Sequence, residues 1–322
     1  MRTSDSITKT GLTPDWGFPG LPSKKTHTLF AGVFLFCSNL PAVAQATPVK
    51  IQQALNRATK DTPAVALIVE TKTGRLLAVE KSQNAATLRS SPGSILKPFF
   101  IQGALEQNLI RPQTTVFCRH SLHILGRNLE CTHPQSNVAF TAEEALAYSC
   151  NTYFAELANR FSPAQATEIL QSYGLTAAPH LFPVEAASTL RAPTNMEQKQ
   201  LFVLGLTGVA ITPAQVAVAY RRLALKLADS QSQPSVQAVE AGMTHSVRYG
   251  MAHDAAVTDL QIAGKTGTAS DPGQARTHGW FAGIAKHQAT EIVIVIYLPH
   301  GNGADAARMA HRFLLDWKDQ AQ

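Results

Sequence analysis

The sequence feature that most restricts the fold is a serine followed three residues later by a lysine, Ser94 and Lys97, in a strongly apolar stretch. Residues three apart share a helix face, so the hydroxyl and the amine can meet. Pro92 and Gly93 predict a turn that leads into this helix. Burial lowers the pKa of a lysine, and a neutral amine can activate a serine nucleophile. The fold must therefore enclose this helix within a sizeable core.

Two further motifs follow in order, Ser149-Cys150-Asn151 and Lys265-Thr266-Gly267-Thr268. The set S-x-x-K, S-x-N and K-T-G resembles the transpeptidase domain of penicillin-binding proteins, within the superfamily of D,D-peptidases and serine β-lactamases. The resemblance runs from about Pro63 to about Trp317. It implies that residues 47–322 form a single penicillin-binding transpeptidase domain.

The resemblance also implies acyl transfer through a serine ester. Ser94 is then the nucleophile, Lys97 accepts its proton, and Ser149 relays that proton toward the leaving amine. These three residues are the predicted catalytic group.

The substrate-binding residues implied by the same resemblance follow in the second and third motifs. Asn151 is expected to bind the amide side chain of the substrate, and Lys265, with the hydroxyls of Thr266 and Thr268, its carboxylate. Gly267 is expected to leave room for close substrate approach. The backbone N–H groups of Thr268 and of the nucleophilic serine would form the oxyanion hole.

Three functions remain open at this stage. The first is a D,D-transpeptidase or D,D-carboxypeptidase that acts on peptidoglycan stem peptides and reacts with β-lactam antibiotics. The second is a serine β-lactamase, for which Glu185, 34 residues after Asn151, would be the deacylating base, although no asparagine near Glu185 could hold a water. The third is a non-catalytic penicillin-sensing or scaffolding domain.

The pattern of apolar runs predicts an α+β fold with an antiparallel sheet flanked by helices. An all-helical lobe is expected between Ser94 and about Leu227. The predicted strands are 64–70, 76–79, the K-T-G segment, 278–285 and 292–298. A helix at 304–317 closes the chain.

The N-terminal 46 residues have the layout of a secretory signal peptide with a long polar start. Positive charge at Lys24 and Lys25 precedes the apolar core 29–37, and small residues follow near Ala44 and Ala46. This apolar core is shorter than the roughly 20 residues that span a bilayer. The leader predicts export to the periplasm or to the outer face of the cytoplasmic membrane, with cleavage or with retention as a membrane anchor.

The charge distribution bears on binding partners, and the cysteines bear on a disulfide. The net charge is +6, but the cations are scattered, so nucleic acid is not an expected partner.

Cys118 and Cys131 lie on opposite limbs of a predicted hairpin with twelve residues between them. In an oxidising compartment they predict a disulfide that stabilises the fold by roughly 3 kcal/mol. Cys150 is then a free thiol, and the spacing predicts neither a metal site nor a cofactor.

Overall fold

The computed structural model describes residues 43–134, 137–231 and 233–320. The predicted signal peptide therefore lies outside the described residues, except for residues 43–46, which begin the first helix. Within the described ranges, no helix combines the length and the apolar character needed to cross a membrane.

The structure contains helices and strands in mixed order. The strands are β1 (Val65–Glu70), β2 (Leu76–Glu80), β3 (Ser121–Ile124), β4 (Arg127–Glu130), β5 (Thr189–Leu190), β6 (Val209–Ala210), β7 (Gln261–Ala269), β8 (His278–His287) and β9 (Thr290–Leu298). The α-helices are α1 (Val43–Thr59), α2 (Ser82–Thr87), α3 (Lys97–Glu106), α4 (Ala142–Ala147), α5 (Asn151–Ala158), α6 (Pro163–Ser172), α7 (Met196–Val203), α8 (Pro213–Asp229), α9 (Pro234–Arg248) and α10 (Gly303–Gln320). Short 3-10 turns occur at Gly93–Leu96 and His253–Ala255.

The centre of the domain is a five-stranded antiparallel sheet in the order β2-β1-β9-β8-β7. Successive side chains of a strand point to opposite faces. In β1, Val65, Leu67 and Val69 join one apolar cluster, and Ala66 and Ile68 join another. Both faces of the sheet are therefore covered, which explains why its inner strands read as continuous apolar runs.

Two layers of helices cover the sheet. On one face, α1 and α10 supply apolar residues that include Phe313 and Trp317. On the other face, α8 and the lobe that follows the first motif form the larger cluster. The predicted α+β architecture is confirmed, and the helical lobe also carries two short ribbons, β3-β4 and β5-β6.

Several helix starts are determined by local capping. Thr141, Ser162 and Thr212 each accept a hydrogen bond from a backbone N–H three residues on, and the Glu or Gln at that position binds back. This capping box satisfies two N–H groups that a helix start leaves without a partner. The box at Thr141 begins α4, the helix that leads into the second motif.

Candidate active site

The first motif lies where a 3-10 turn becomes a helix. Ser94 is in the turn Gly93–Leu96, and Lys97 is the first residue of α3. A 3-10 turn has three residues per revolution, so the two side chains leave the backbone on the same side. Ser94 is half-buried, whereas Lys97 is fully buried.

The buried amine of Lys97 is bound to the second motif. Nζ donates to the Ser149 carbonyl oxygen at 2.8 Å, to Ser149 Oγ at 3.2 Å and to Asn151 Oδ1 at 2.8 Å. It also lies 4.9 Å from the centre of the Phe154 ring. Burial lowers the pKa of Lys97 to about 8. At pH 7 the protonated form therefore still predominates, and the neutral amine becomes abundant only above this pKa.

The second motif occupies a tight turn between α4 and α5. Ser149 has a left-handed backbone with φ of 54°, and the N–H of Cys150 donates to the Ala145 carbonyl oxygen at 3.0 Å. A left-handed conformation costs a non-glycine residue roughly 1 kcal/mol or more and is often found at functional sites. The turn brings Ser149 and Asn151 to the same amine.

The third motif lies on β7, the edge strand of the sheet. A Cβ on Gly267 would lie 2.7 Å from the Pro92 carbonyl oxygen and 3.1 Å from Ile95 Cγ2. A Cβ on Gly93, whose φ is 57°, would lie 3.0 Å from the Thr268 carbonyl oxygen. The missing side chain of Gly267 therefore leaves room for the turn that holds Ser94, and its expected role in substrate approach stays a prediction.

The side chains of the third motif differ in direction. Lys265 is fully buried and donates to the Thr266 carbonyl oxygen at 3.1 Å, and Thr266 Oγ1 donates to the Met251 carbonyl oxygen at 3.1 Å. Burial, and to a smaller extent the charge of Lys97, lowers the pKa of Lys265 well below its ordinary value. The exposed member is Thr268. Binding of a substrate carboxylate by these three groups stays a prediction.

One cleft of about 540 Å³ is lined by residues from all three motifs. Its walls include Ser94, Ser149, Asn151, Thr266, Gly267 and Thr268. Further walls come from the β3-β4 hairpin and from the start of α10, where the Gly303 N–H donates to Thr268 Oγ1 at 2.9 Å. Two other cavities, of about 490 and 620 Å³, contain none of these motif residues.

The sequence reasoning missed a group of residues that hold the backbone ahead of Ser94. Asp271 accepts from the Ser91 N–H at 2.7 Å and from Ser90 Oγ at 3.1 Å. The Ser91 carbonyl oxygen accepts from His278 Nε2 at 2.7 Å and from Trp280 Nε1 at 3.1 Å. Both backbone groups of Ser91 are thereby fixed from the β7-β8 region. The sequence indicates only a strand at 278–285 and gives no sign of this role.

The carboxylate of Glu185 has a structural role. It accepts hydrogen bonds from the backbone N–H groups of His180, Leu181 and Phe182, at 2.8, 2.8 and 2.9 Å. These bonds satisfy the acceptor atoms that a deacylating base would turn toward a water. The geometry therefore gives no support to Glu185 as the base of a β-lactamase.

Cys118 and Cys131 are free thiols, with their sulfur atoms 3.5 Å apart. A disulfide has an S–S distance of about 2.05 Å, so the predicted bridge is not formed in the structure. The same sulfur of Cys118 lies 3.4 Å from His133 Nε2. The two cysteines thus belong to a larger cluster than the pair that the hairpin predicted.

Solved structures resemble this fold. A structure described as a peptidoglycan glycosyltransferase from Burkholderia ambifaria superposes with a TM-score of 0.72 at 23% identity, covering 84% of this chain and 95% of that one. The TP domain of penicillin-binding protein 3 from Burkholderia pseudomallei gives 0.72 at 19% identity, covering 88% of this chain and 95% of that one. At these identities the likeness shows the fold.

Sequence comparison connects the chain with a family. It is 27% identical over 189 residues to Peptidoglycan D,D-transpeptidase PbpA of Mycolicibacterium smegmatis (strain ATCC 700084 / mc(2)155). The match covers 49% of this chain and 38% of that relative, so the chain spans well under half of the relative's length. The family model described as the penicillin binding protein transpeptidase domain matches residues 64–315. The chain therefore belongs to the penicillin-binding protein transpeptidase family.

Proposed function

We propose that the domain is a D,D-transpeptidase or D,D-carboxypeptidase that acts on peptidoglycan stem peptides, and that β-lactams acylate the same serine. The observation that carries this proposal is the meeting of three motifs at one cleft, with a buried Lys97 bound to Ser149 and Asn151. Membership of the penicillin-binding protein transpeptidase family and the similarity to the D,D-transpeptidase of Mycolicibacterium smegmatis support the reaction class.

The first half of the proposed reaction forms an ester. The Ser94 hydroxyl passes its proton to neutral Lys97, and its oxygen attacks the carbonyl carbon of the penultimate D-alanine. Backbone N–H groups of Ser94 and Thr268 bind the oxyanion, a contribution of about 3 kcal/mol per donor. Ser149, which already contacts the lysine, passes the proton to the leaving nitrogen. The C–N bond breaks and D-alanine departs as the amine.

In the second half an acceptor breaks the ester. An amine from a neighbouring stem peptide gives a cross-link, and water gives a shortened peptide. In either case the attacking group loses a proton through the same lysine, and the serine hydroxyl is restored. The choice between the two acceptors distinguishes transpeptidase from carboxypeptidase.

Substrate recognition is assigned to the second and third motifs. Thr268 Oγ1 is exposed beside the first N–H of α10, and a helix N-terminus favours negative charge. A substrate carboxylate there would also favour the protonated form of Lys265. Asn151 Oδ1 accepts a hydrogen bond from Lys97, and its Nδ2 donates to the Glu130 carbonyl oxygen. Binding of the substrate amide would therefore replace one of these contacts.

We assign the place of action to the outside of the cytoplasm, in the periplasm or at the outer face of the membrane. The predicted leader, residues 1–46, supports export and, if it is retained, membrane association. Peptidoglycan substrate in the same compartment fits this assignment.

A stem pentapeptide ending in D-Ala-D-Ala, offered with an amine acceptor, tests the proposal. We expect release of free D-alanine and formation of either exchanged or shortened peptide, which Ser94→Ala abolishes. Ser82→Ala, at an exposed serine on α2, is the matched control and should retain activity. A folded protein that releases no D-alanine would instead support the sensing or scaffolding function, and fast penicillin hydrolysis would support a β-lactamase.

A further inference from the structure

Four side chains that commonly bind metals lie together beside the second motif. The Sγ atoms of Cys118, Cys131 and Cys150 and a ring nitrogen of His133 all lie within 4.8 Å of one another. His133 and Cys150 are buried, and the other two cysteines are half-buried. Neither the proposed acyl transfer nor the predicted disulfide accounts for all four.

The distances fit a single tetrahedral ion. With Zn–S of about 2.3 Å and Zn–N of about 2.0 Å, tetrahedral geometry places two sulfurs about 3.8 Å apart and a sulfur and a nitrogen about 3.5 Å apart. Cys118 Sγ lies 3.5 Å from Cys131 Sγ and 3.4 Å from His133 Nε2. These two separations lie within a few tenths of an ångström of the tetrahedral values, and the remaining pairs, all within 4.8 Å, would have to close by at most about 1.3 Å to complete the site. A disulfide, in contrast, would leave the histidine and the third thiol without a role.

The imidazole is held in the orientation of a ligand. His133 Nδ1 lies 2.7 Å from the carbonyl oxygen of Pro134, which can only accept, so Nδ1 carries the proton. In the neutral ring Nε2 then presents its lone pair toward the thiols. A hydrogen bond from the second ring nitrogen to a carbonyl is the usual support of a metal-bound histidine.

Backbone N–H groups already point at the sulfur atoms. The N–H of His120 donates to Cys118 Sγ at 3.3 Å, and the N–H of Asn151 donates to Cys131 Sγ at 3.1 Å. Hydrogen bonds to sulfur stabilise the thiolate form, which is the form that binds a metal. This second observation is independent of the ring orientation.

We propose that Cys118, Cys131, His133 and Cys150 bind one zinc ion. Three thiolates and one imidazole in tetrahedral arrangement are the ligand set that selects zinc. On binding, any thiol still protonated gives its proton to solvent, and four coordinate bonds form with no change of oxidation state. Four protein ligands leave no open position, so the ion is structural and takes no part in acyl transfer.

The ion would join the hairpin β3-β4 to the turn of the second motif. Three ligands come from the segment 118–133, and Cys150 lies between Ser149 and Asn151. The link would add to the hydrogen bond from Asn151 Nδ2 to the Glu130 carbonyl oxygen at 3.1 Å. It would therefore help to hold the strained turn that presents both polar side chains to Lys97.

Metal analysis of the full chain, purified without chelator, tests the proposal. We expect about one zinc ion per chain, and Co²⁺ exchange should give the visible absorption of a tetrahedral thiolate site. His133→Ala and Cys118→Ser should each lose most of the metal. His123→Ala, at an exposed histidine of the same hairpin, should retain it. Ser94→Ala should also retain it, which separates this proposal from the proposed acyl transfer.

Mapping of the free thiols distinguishes a bound zinc ion from a disulfide. After chelation and unfolding without reductant, alkylation should modify Cys118, Cys131 and Cys150 alike. Recovery of Cys118 and Cys131 as an oxidised pair in metal-free protein would overturn the zinc proposal in favour of the disulfide. Metal-free protein with all three thiols reduced, and no zinc or cobalt bound on addition, would overturn it as well. If a ligand variant fails to fold, cobalt titration of the chelated wild-type chain gives the same decision.

Discussion

At the scale of single residues, two buried lysines lie close to one another but have different surroundings. Lys97 donates to oxygens of Ser149 and Asn151, whereas Lys265 donates to the carbonyl oxygen of its neighbour Thr266. Burial lowers both pKa values, and the charge of Lys97 further lowers that of Lys265. The arrangement favours Lys97 as the proton acceptor and leaves Lys265 to respond to an arriving anion.

The pKa of Lys97 predicts the pH dependence of acylation. The pKa lies below its ordinary value, so the neutral form appears at lower pH than for a free lysine. The rate of acylation by penicillin should rise with pH and level off above a midpoint near the pKa of about 8. Stopped-flow rates across this range measure it. A rise that begins only near the free-lysine value of about 10.4 would contradict Lys97 as the base.

The motif residues themselves could be predicted from the sequence, but their contacts could not. Spacing places Ser94 and Lys97 on one face, and that relation is local. The bond from Asp271 to Ser91, and the inward hydroxyl of Thr266, depend on how distant segments meet. The cysteine cluster is equally non-local, because Cys150 comes close to the hairpin cysteines only when folding brings two segments together.

At the scale of elements, local sequence signals explain most helix starts, whereas the shortest strands have no such signal. The capping box at Thr141 begins α4. The K-T-G segment and the apolar run that begins at Ile292 predict β7 and β9. The two-residue strands β5 and β6 have no periodic pattern that could reveal them. The first motif shows a related limit, because the expected helix begins as a 3-10 turn.

The cap of α4 gives a prediction at this scale. Thr141→Ala removes the hydroxyl that accepts the Glu144 N–H and should lower the free energy of unfolding by about 1 kcal/mol. Ser162→Ala removes the equivalent cap of α6 and should cost a similar amount. Urea unfolding measures both losses.

The two cap variants should differ in activity. Because α4 leads into the strained turn at Ser149, Thr141→Ala should also slow penicillin acylation, whereas Ser162→Ala should not. Equal acylation rates in the two variants would show that the start of α4 does not influence the position of the second motif.

At the scale of the whole molecule, the cleft lies where the edge of the sheet meets the helical lobe. β7 pairs with β8 along one edge, and it also contacts the turn Gly93–Leu96. The apolar clusters on both faces of the sheet keep this edge in place. The class of architecture follows from the apolar patterns, but the closeness of the edge strand to Ser94 follows only from the three-dimensional packing.

The central claim is that Ser94 is the nucleophile of an acyl-transferring cleft. Intact-mass spectrometry after incubation with penicillin tests it most directly, with peptide mapping to locate the adduct. We predict one adduct per chain, on Ser94, that persists for many minutes and is absent from Ser94→Ala. Rapid consumption of penicillin with no adduct, an adduct on another residue, or no reaction in a folded protein would each contradict the claim.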